Sequence, residues 1–303
     1  MSRQAPELFE TGLIARRRDR AQALGFAGGA DFLHREAAEL IAERLDEITR
    51  EFEDAAVIGS GGGVHADSLA GKVREITQIE LSPARAQAAG VAPVGTLDPL
   101  PLEEASLDLV ISAFELHWAN DPIGQLVQMR RALRPDGLLI AALFGGQTLH
   151  ELRASLAEAE VEITGGLSPR IAPMGEVRDL GALLQRAGFA MPVADTHRLV
   201  ASYETPLHLM RELRAMGETN MLNGRRKLPL RRDMLARACE IYTENFPAEN
   251  GRVAATFELV FLTGWAPAAS QPKPLRPGSA QARLADALGT LEVGTGIPTK
   301  QGR

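Results

Sequence analysis

Cysteine is nearly absent from this chain of 303 residues, which contains only Cys239. A single cysteine cannot form a disulfide within the chain, so we expect a reducing compartment and a cytoplasmic protein. Cys239 lies in an amphipathic stretch and is predicted to be a small packed residue rather than a nucleophile. The six histidines are scattered, without an HExxH or paired Cys/His spacing, so the sequence predicts no metal site.

Long apolar runs and a positive net charge are also missing. No run approaches the roughly 20 apolar residues that cross a bilayer, so no transmembrane segment is predicted. The first residues lack the apolar core of a signal peptide, and the early Glu7 and Glu10 are not typical of a transit peptide. The net charge of -6 argues against a sequence-independent nucleic-acid binder, so we expect no nucleic-acid partner.

Short apolar runs alternate with helical patterns over most of the chain. Asp31 is placed to cap the first clear helix, and Asp121, Pro122 and Gly137 mark the start and end of another. Strands are predicted at 55–59, 75–80, 107–114, 138–145, 195–203 and 253–266, and helices at 32–48, 122–136, 148–162, 176–188, 206–216 and 231–246. This alternation predicts an α/β fold with a doubly wound, mostly parallel, Rossmann-like sheet, an N-terminal helical extension and extra helices after the fifth strand.

The chain is predicted to contain one main domain. Residues 1–52 form the N-terminal helical extension, and residues 53–266 form the α/β domain. Residues 267–303 are rich in Pro, Gly, Ser and Ala, which predicts an extended or partly disordered tail.

The segment VIGSGGGV (57–64) follows the first strand. Glycines let a backbone turn sharply and approach a ligand where a β-carbon would clash. A dinucleotide fingerprint has glycine at its first, third and sixth positions. Here Gly59 and Gly61 fit, but Gly63 takes the fifth position and Val64 the sixth. This spacing favours a nucleoside without phosphates, such as S-adenosylmethionine (SAM); the alternative is a plain tight turn.

Glu80 ends the second strand, about 20 residues downstream of the glycine loop. An acid at that place can accept two hydrogen bonds from a ribose diol. The alternative interpretation is a solvated acid at a strand end. Together, the loop and the acid predict a nucleoside site at the carboxyl edge of the sheet.

Longer and more specific motifs lie downstream of the loop. They are residues 115–160, which begin ELHWANDPIGQLVQMRRALRPDG, together with GGLSPRIAP (165–173), DLGALLQRAGF (179–189) and RAMGETN (214–220). With the loop, they resemble the complex I assembly factor 5 family, whose eukaryotic members are mitochondrial arginine hydroxylases on a class I SAM methyltransferase fold. The resemblance covers about residues 8–280. That family is related to the malonyl-carrier-protein methyltransferase of biotin synthesis, which shares the LHW-like segment and the RPDG turn.

The resemblance implies a SAM methyltransferase-like domain at 53–266 with SAM as its cofactor. The residues it implies for SAM binding are Gly59, Ser60, Gly61, Gly63, Glu80, Leu81, Asp98 and Phe114. Two positions depart from the family pattern. The acid before the glycine loop is Val57 here, and the acid beside the adenine is Thr96, with Asp98 two residues on. Both departures remove polar partners of the cofactor, so a weakened or cofactor-free site is an alternative.

His117 and Trp118 follow the strand at 107–114 and are the candidate catalytic residues. An aromatic ring there can pack on the adenine or the substrate, and an imidazole can take a proton near neutral pH. The alternative is structural packing at a strand end. Methyl transfer itself depends mainly on holding the nucleophile in line with the methyl group.

Three basic segments are candidates for surface or binding roles. Arg170 can pair with a carboxylate or be solvated. The arginines at 16–18 and the basic residues at 225–232 are predicted to be solvated faces. For the run at 16–18, the functional alternative is a lid that recruits an acidic peptide or carrier protein.

Three functions are consistent with this sequence. The first is a SAM-binding enzyme that modifies a protein substrate, with a subunit of respiratory complex I as the candidate, by methylation or by arginine hydroxylation. The second is a malonyl-acyl-carrier-protein O-methyltransferase of biotin synthesis. The third is a non-catalytic assembly chaperone on a degenerate methyltransferase fold, which Val57 and Thr96 favour.

Overall fold

The computed structural model describes residues 7–26, 29–271 and 289. The chain divides into a unit of residues 1–268 and a short unit of residues 269–303, and every helix and strand below lies in the first. Most of the tail that the sequence predicts to be extended or disordered lies outside the described residues. The division into 1–52, 53–266 and 267–303 stays a prediction. No helix in the described part of the chain is both long enough and apolar enough to span a membrane.

One sheet forms the centre of the fold. Its strands are β1 (Phe52–Ile58), β2 (Val73–Ile79), β3 (Leu107–Ala113), β4 (Leu133–Phe144), β5 (Ala190–Tyr203) and β6 (Val253–Trp265). Their order in the sheet is β2-β1-β3-β4-β6-β5. The first four in that order are parallel, β6 is antiparallel to β4, and β5 is antiparallel to β6. The predicted α/β fold with a mostly parallel sheet is confirmed.

Helices precede the sheet and connect its strands. They are α1 (Thr11–Ala23), α2 (Phe32–Asp46), α3 (Val64–Ser68), α4 (Pro83–Ala88), α5 (Pro122–Ala132), α6 (His150–Thr164), α7 (Val177–Ala187), α8 (Pro206–Met216) and α9 (Arg232–Asn245). α1 and α2 are the predicted N-terminal helices, and α8 and α9 are the predicted extra helices after the fifth strand. Asp31 precedes α2 as expected, but its side chain pairs with Arg35 instead of capping the first turn.

The core lies on both faces of the sheet, as a doubly wound fold requires. Every residue of β3 is buried, because this central strand is covered on each side. One apolar cluster joins the sheet to α2, α6 and α9, and the other joins it to α5 and α7. Because β1, β2, β3 and β4 are parallel, their carboxyl ends meet at one edge of the sheet, where such sheets bind ligands.

The helix predicted to end at Gly137 ends earlier. Asp121 accepts a hydrogen bond from the Gly124 N–H and starts α5 as predicted, but α5 stops at Ala132 and β4 begins at once. Leu133 pairs with Leu107 of β3 in the sheet. Asp136 has a φ of 65°, which no right-handed helix allows. Pairing with β3 thus overrides the helical pattern of the RPDG segment.

Candidate functional site

The loop after β1 is built by glycines with positive φ. Gly59, Gly61, Gly62 and Gly63 have φ values of 83°, 58°, 73° and 107°, a region that L side chains rarely adopt. A Cβ on Gly59 would lie 2.3 Å from the carbonyl oxygen of Ala113. The loop therefore turns tightly against the end of β3, with no room for a side chain at its first glycine.

Glu80 and the glycine loop are in direct contact. The Glu80 side chain is fully buried, and its Oε2 accepts hydrogen bonds from the Ser60 N–H at 3.1 Å and the Ser60 hydroxyl at 2.9 Å. Its Oε1 accepts one from the Ser82 N–H at 2.9 Å. Glu80 is therefore not a solvated strand-end acid, and the structure brings the two predicted parts of the site together.

Arg18 reaches this site from the N-terminal helix α1. Its Nη1 lies 2.5 Å from Glu115 Oε1 and 3.9 Å from Glu80 Oε1, and its Nη2 donates to the Phe114 carbonyl at 3.0 Å. The prediction of a solvated arginine face is wrong for this residue, which is 1% exposed. Arg18 is buried because it shares the inward face of α1 with Ile14 and Ala21.

Glu115 brings a carboxyl group to the corner beside the first glycine. Its Oε1 lies 2.7 Å from the position that a Cβ on Gly59 would take. Burial raises the pKa of Glu115 to about 7, although the neighbouring Arg18 lowers it. Burial acts to lower the pKa of the Arg18 guanidinium. The negative charges of Glu115 and Glu80 outweigh this effect of burial, so the pKa is raised. Val57, where the family has an acid, is buried inside β1.

Two buried histidines pack over the glycine loop. His34 of α2 and His65 of α3 lie 3.0 Å apart, from Nδ1 to Nε2. A Cβ on Gly61 would lie 2.7 Å from His34 Nδ1. Burial lowers the pKa of His65 to about 3 and that of His34 well below its ordinary value. Both imidazoles are therefore neutral at physiological pH.

The candidate catalytic residues share one partner. His117 and Trp118 lie in a short 3-10 turn after β3. Trp118 Nε1 donates to Glu218 Oε2 at 2.9 Å, and His117 Nε2 lies 3.4 Å from the same oxygen. Glu218 follows α8 in the RAMGETN motif. The structure therefore joins the turn after β3 to a segment that lies 100 residues further along the chain.

Two cavities adjoin these residues, and Trp118 lines both. A polar cavity of about 340 Å³ is lined by Leu81, Thr96, Asp98 and Glu115, among others. An apolar cavity of about 240 Å³ is lined by Trp118, by Phe144 at the end of β4 and by residues of α6 and α8. Trp118 therefore borders two cavities, one polar and one apolar.

The remaining basic segments are mostly paired or solvated. Arg170 forms a two-point contact with the Glu160 carboxylate, at 2.9 and 2.6 Å, so it has a carboxylate partner within the chain. Arg225 pairs with Glu10, while Arg16, Arg226 and Arg231 are largely solvated, as predicted. Cys239 is half-buried, and burial raises the pKa of its thiol. Within residues 7–26 and 29–271, no group of three His, Cys, Asp or Glu side chains is arranged to hold a metal ion.

A protein-family model described as "Methyltransferase domain" matches residues 56–141. The protein "Arginine-hydroxylase NDUFAF5, mitochondrial" of Danio rerio is 38% identical over 292 residues, which cover 94% of this chain and 91% of that protein. The chain belongs to the arginine-hydroxylase NDUFAF5 family. The family resemblance read from the sequence motifs is thus confirmed.

Other similarities agree with membership of the NDUFAF5 family. The "Malonyl-[acyl-carrier protein] O-methyltransferase" of Laribacter hongkongensis (strain HLHK9) is 34% identical over 268 residues, or 82% of this chain and 88% of that protein. The solved structure of the YcgJ protein of Bacillus subtilis matches with a TM-score of 0.53 at 14% identity, covering 77% of this chain and 99% of that one. The structural match shows the α/β fold alone.

In this NDUFAF5-family chain, Glu80 has the place of an acid that binds a ribose, but it is fully buried and lines neither of the two cavities described above. A buried acid beside a glycine loop suits a ribose diol, and the polar cavity next to it contains Leu81 and Asp98. The corner beside Gly59 and Gly61 is more crowded, because the side chains of Glu115 and His34 lie there. The candidate site therefore combines a buried acid near a polar cavity with a second half lined by the Glu115 carboxyl group and the two imidazoles.

Sequence reasoning missed Arg18, Glu115 and Glu218 as site residues. Glu115 begins the segment at 115–160 and Glu218 lies in RAMGETN, but no spacing rule marks either of them as a site residue. Arg18 did have a signal, because Ile14, Arg18 and Ala21 recur at helical spacing and Arg18 falls on the apolar face. Phe114, by contrast, was expected at the site and lies there, with its carbonyl bound by Arg18.

Proposed function

We propose that this chain binds SAM at Glu80 and modifies a protein substrate during assembly of respiratory complex I. The observation that carries the cofactor half of this proposal is the buried Glu80 carboxyl group, hydrogen-bonded to Ser60 of the glycine loop. The substrate half rests on membership of the NDUFAF5 family across 94% of the chain.

Glu115 has a part in this proposal. Its carboxyl group lies beside Gly59, in the corner that an acid at position 57 serves in relatives of this fold. A glutamate after β3 then replaces the acid missing from β1, and Arg18 balances its charge. The ribose would be held by Glu80, and the adenine by the cavity with Leu81 and Asp98. When bound, SAM supplies an activated methyl group.

We propose that the reaction modifies a side chain of the substrate protein. The relatives' name, arginine-hydroxylase, favours arginine as the target, while the matched domain favours methyl transfer. Trp118 lines both cavities and shares the Glu218 carboxyl group with His117, and both residues are proposed to position the substrate. A cytoplasmic location belongs to the same proposal; the word "mitochondrial" applies to the relatives of that name.

Deletion of the gene tests this function. We expect a peptide of one complex I subunit to lose its modification in mass spectrometry, with slower assembly of the complex. Complementation with the wild-type gene should restore both the modification and the rate of assembly. The Glu80→Gln gene should restore neither. An unchanged peptide map together with unchanged assembly would contradict the proposal.

Methylation of a malonyl thioester on acyl carrier protein is a second candidate. The observation that favours it is the relation to the Laribacter hongkongensis enzyme, together with exposed arginines such as Arg226 and Arg231 that suit an acidic carrier. It predicts that the deletion strain requires biotin. Normal growth without biotin would remove this candidate as an essential role.

A non-catalytic chaperone is a third candidate, favoured by the crowding of Glu115 and His34 around the loop. It predicts normal assembly in the Glu80→Gln strain, because no cofactor would be needed. Loss of assembly in that strain, with the variant protein folded and abundant, would exclude it.

A further inference from the structure

The polar cavity of about 340 Å³ begins one residue from Glu80, because Leu81 lines it. Its wall also includes the loop at 95–98 and Gln125 of helix α5. Trp118 adds apolar surface, which suits the face of a planar base. The cavity therefore has the place of the base of a nucleoside whose ribose lies at Glu80.

The loop at 95–98 does not supply the buried acid that the family pattern places beside the adenine. Thr96 has that position, and its hydroxyl is engaged within its own turn. The hydroxyl accepts from the Asp98 N–H at 2.9 Å and donates to the Asp98 carbonyl at 3.0 Å. Asp98 itself is exposed. A buried hydrogen-bond partner for the base is therefore expected on another element.

Gln125 presents a buried acceptor to this cavity. Its side chain belongs to a residue that is 7% exposed, and its Nε2 donates to the Leu97 carbonyl at 3.3 Å. This bond fixes the orientation of the amide, because a reversed amide would set Oε1 against the carbonyl oxygen. Oε1 is buried and has no hydrogen-bond partner. A buried amide oxygen without a partner is costly unless a donor on a ligand satisfies it.

Other polar side chains of the cavity wall are already engaged. Asn120 exchanges two hydrogen bonds with the backbone of Phe9. Asp121 accepts from the Gly124 N–H, and Glu115 is paired with Arg18. Among the described residues that line this cavity, the buried side-chain oxygen or nitrogen without a partner is that of Gln125. The wall is therefore ready to accept one hydrogen bond from a ligand.

We propose that Gln125 selects the base of SAM by accepting a hydrogen bond from the exocyclic amino group of adenine, in place of the acid that is missing at position 96. An amino group donates to Oε1, whereas the oxo group of hypoxanthine only accepts and would face the lone pairs of Oε1. Gln125 is thereby a specificity-determining residue that favours an aminopurine over an oxopurine. This inference rests on the proposed function, because it assumes that SAM lies in this cavity.

Two nucleosides that differ in this one group test the inference on the full-length protein. They are S-adenosylhomocysteine and S-inosylhomocysteine, in which an oxo group replaces the amino group of the base. We expect calorimetric titration of the wild type to show about tenfold or more tighter binding of S-adenosylhomocysteine, because a site built to accept an N–H rejects an analogue that lacks it.

Two substitutions on helix α5 complete the test. Gln125→Met keeps the length of the side chain but removes the acceptor, so it should weaken S-adenosylhomocysteine roughly tenfold and leave S-inosylhomocysteine nearly unchanged. Gln128→Met is the matched control, because the Gln128 Oε1 accepts from the Leu100 N–H at 2.8 Å; it should keep the full preference for adenine. If Gln125→Met unfolds, Gln125→Glu retains an acceptor and should also keep the preference.

The results separate this inference from the proposed function. Equal binding of the two nucleosides by the wild type would overturn the inference and leave the SAM site in place. The same preference in the wild type and in folded Gln125→Met would also overturn it, as would loss of the preference in Gln128→Met or in Gln125→Glu. Binding of neither nucleoside by the wild type would contradict the proposed SAM site itself, and this inference with it.

Discussion

Arg18 and Glu115 form a buried ion pair with a nitrogen–oxygen distance of 2.5 Å. The pair joins the N-terminal helix α1 to the turn after β3, and the Arg18 guanidinium also faces Glu80. Buried charges are tolerated when they are paired and hydrogen-bonded. Helix α1 therefore contributes a buried cation to the candidate cofactor site.

Removal of Arg18 alone should destabilise the protein strongly. Arg18→Met leaves Glu115 and Glu80 without their buried cation, which costs about 3–5 kcal/mol of unfolding free energy. The double variant Arg18→Met/Glu115→Gln should cost less than the sum of the two single variants, because neither charge is then stranded. Urea unfolding of all four proteins measures this coupling, and strictly additive losses would contradict a direct pair.

Glu115 should make stability fall as pH rises. Its pKa increases from 4.5 to about 7 on folding, so between these values the native state holds more protons than the unfolded chain. The contribution of Glu115 is therefore present at low pH and is lost as pH rises through that window. Compared with Glu115→Gln, the wild type should lose more unfolding free energy between pH 4.5 and 7. Parallel pH profiles would show that Glu115 does not titrate there.

The buried histidines should act in the opposite direction. Burial lowers the pKa of His65 from 6.5 to about 3, so the unfolded chain binds more protons in that window. Its contribution is present above pH 6.5 and is lost as pH falls towards 3. In His65→Gln, urea unfolding should show a smaller loss of stability on acidification than in the wild type. An identical acid profile would count against a neutral buried His65.

A side chain at the first glycine of the loop should not be tolerated. Gly59→Ala requires a positive φ and places Cβ 2.3 Å from a backbone oxygen, so it should cost at least about 2 kcal/mol. Gly166→Ala is the matched control, because nothing lies within 4 Å of its Cβ position and its φ is not in the left-handed region. Thermal unfolding of both checks this, and equal melting temperatures would contradict the tight turn against Ala113.

The strands and most helices could be predicted from the sequence because local patterns decide them. Each of the six strands overlaps a segment predicted as a strand, although β5 begins at Ala190 rather than at 195, and Gly188 ended α7 where expected. The RPDG segment failed because pairing of Leu133 with Leu107 outweighs helical periodicity. Arg134 adds to that pairing through ion pairs with Asp54 and Asp108, and contacts so distant in sequence leave no local pattern.

The candidate site was only half predictable. The glycine loop and Glu80 follow a known spacing, and the structure puts them in hydrogen-bond contact. Glu115 and Glu218 matter because folding carries them to the loop and to Trp118, over long separations in sequence. A charged residue is predicted to be solvated unless its partner is known. For this reason the sequence predicted Arg18 to lie on a solvated face.

Calorimetric titration with SAM tests the central claim most directly, using the wild type, Glu80→Gln and Glu53→Gln. Glu53 is an exposed acid at the other end of β1 and serves as the control. We expect the wild type and Glu53→Gln to bind SAM equally, and folded Glu80→Gln to bind about tenfold or more weakly, because a charged acceptor of the ribose is lost. No binding by the wild type, or equal affinity in Glu80→Gln, would contradict a SAM site at Glu80.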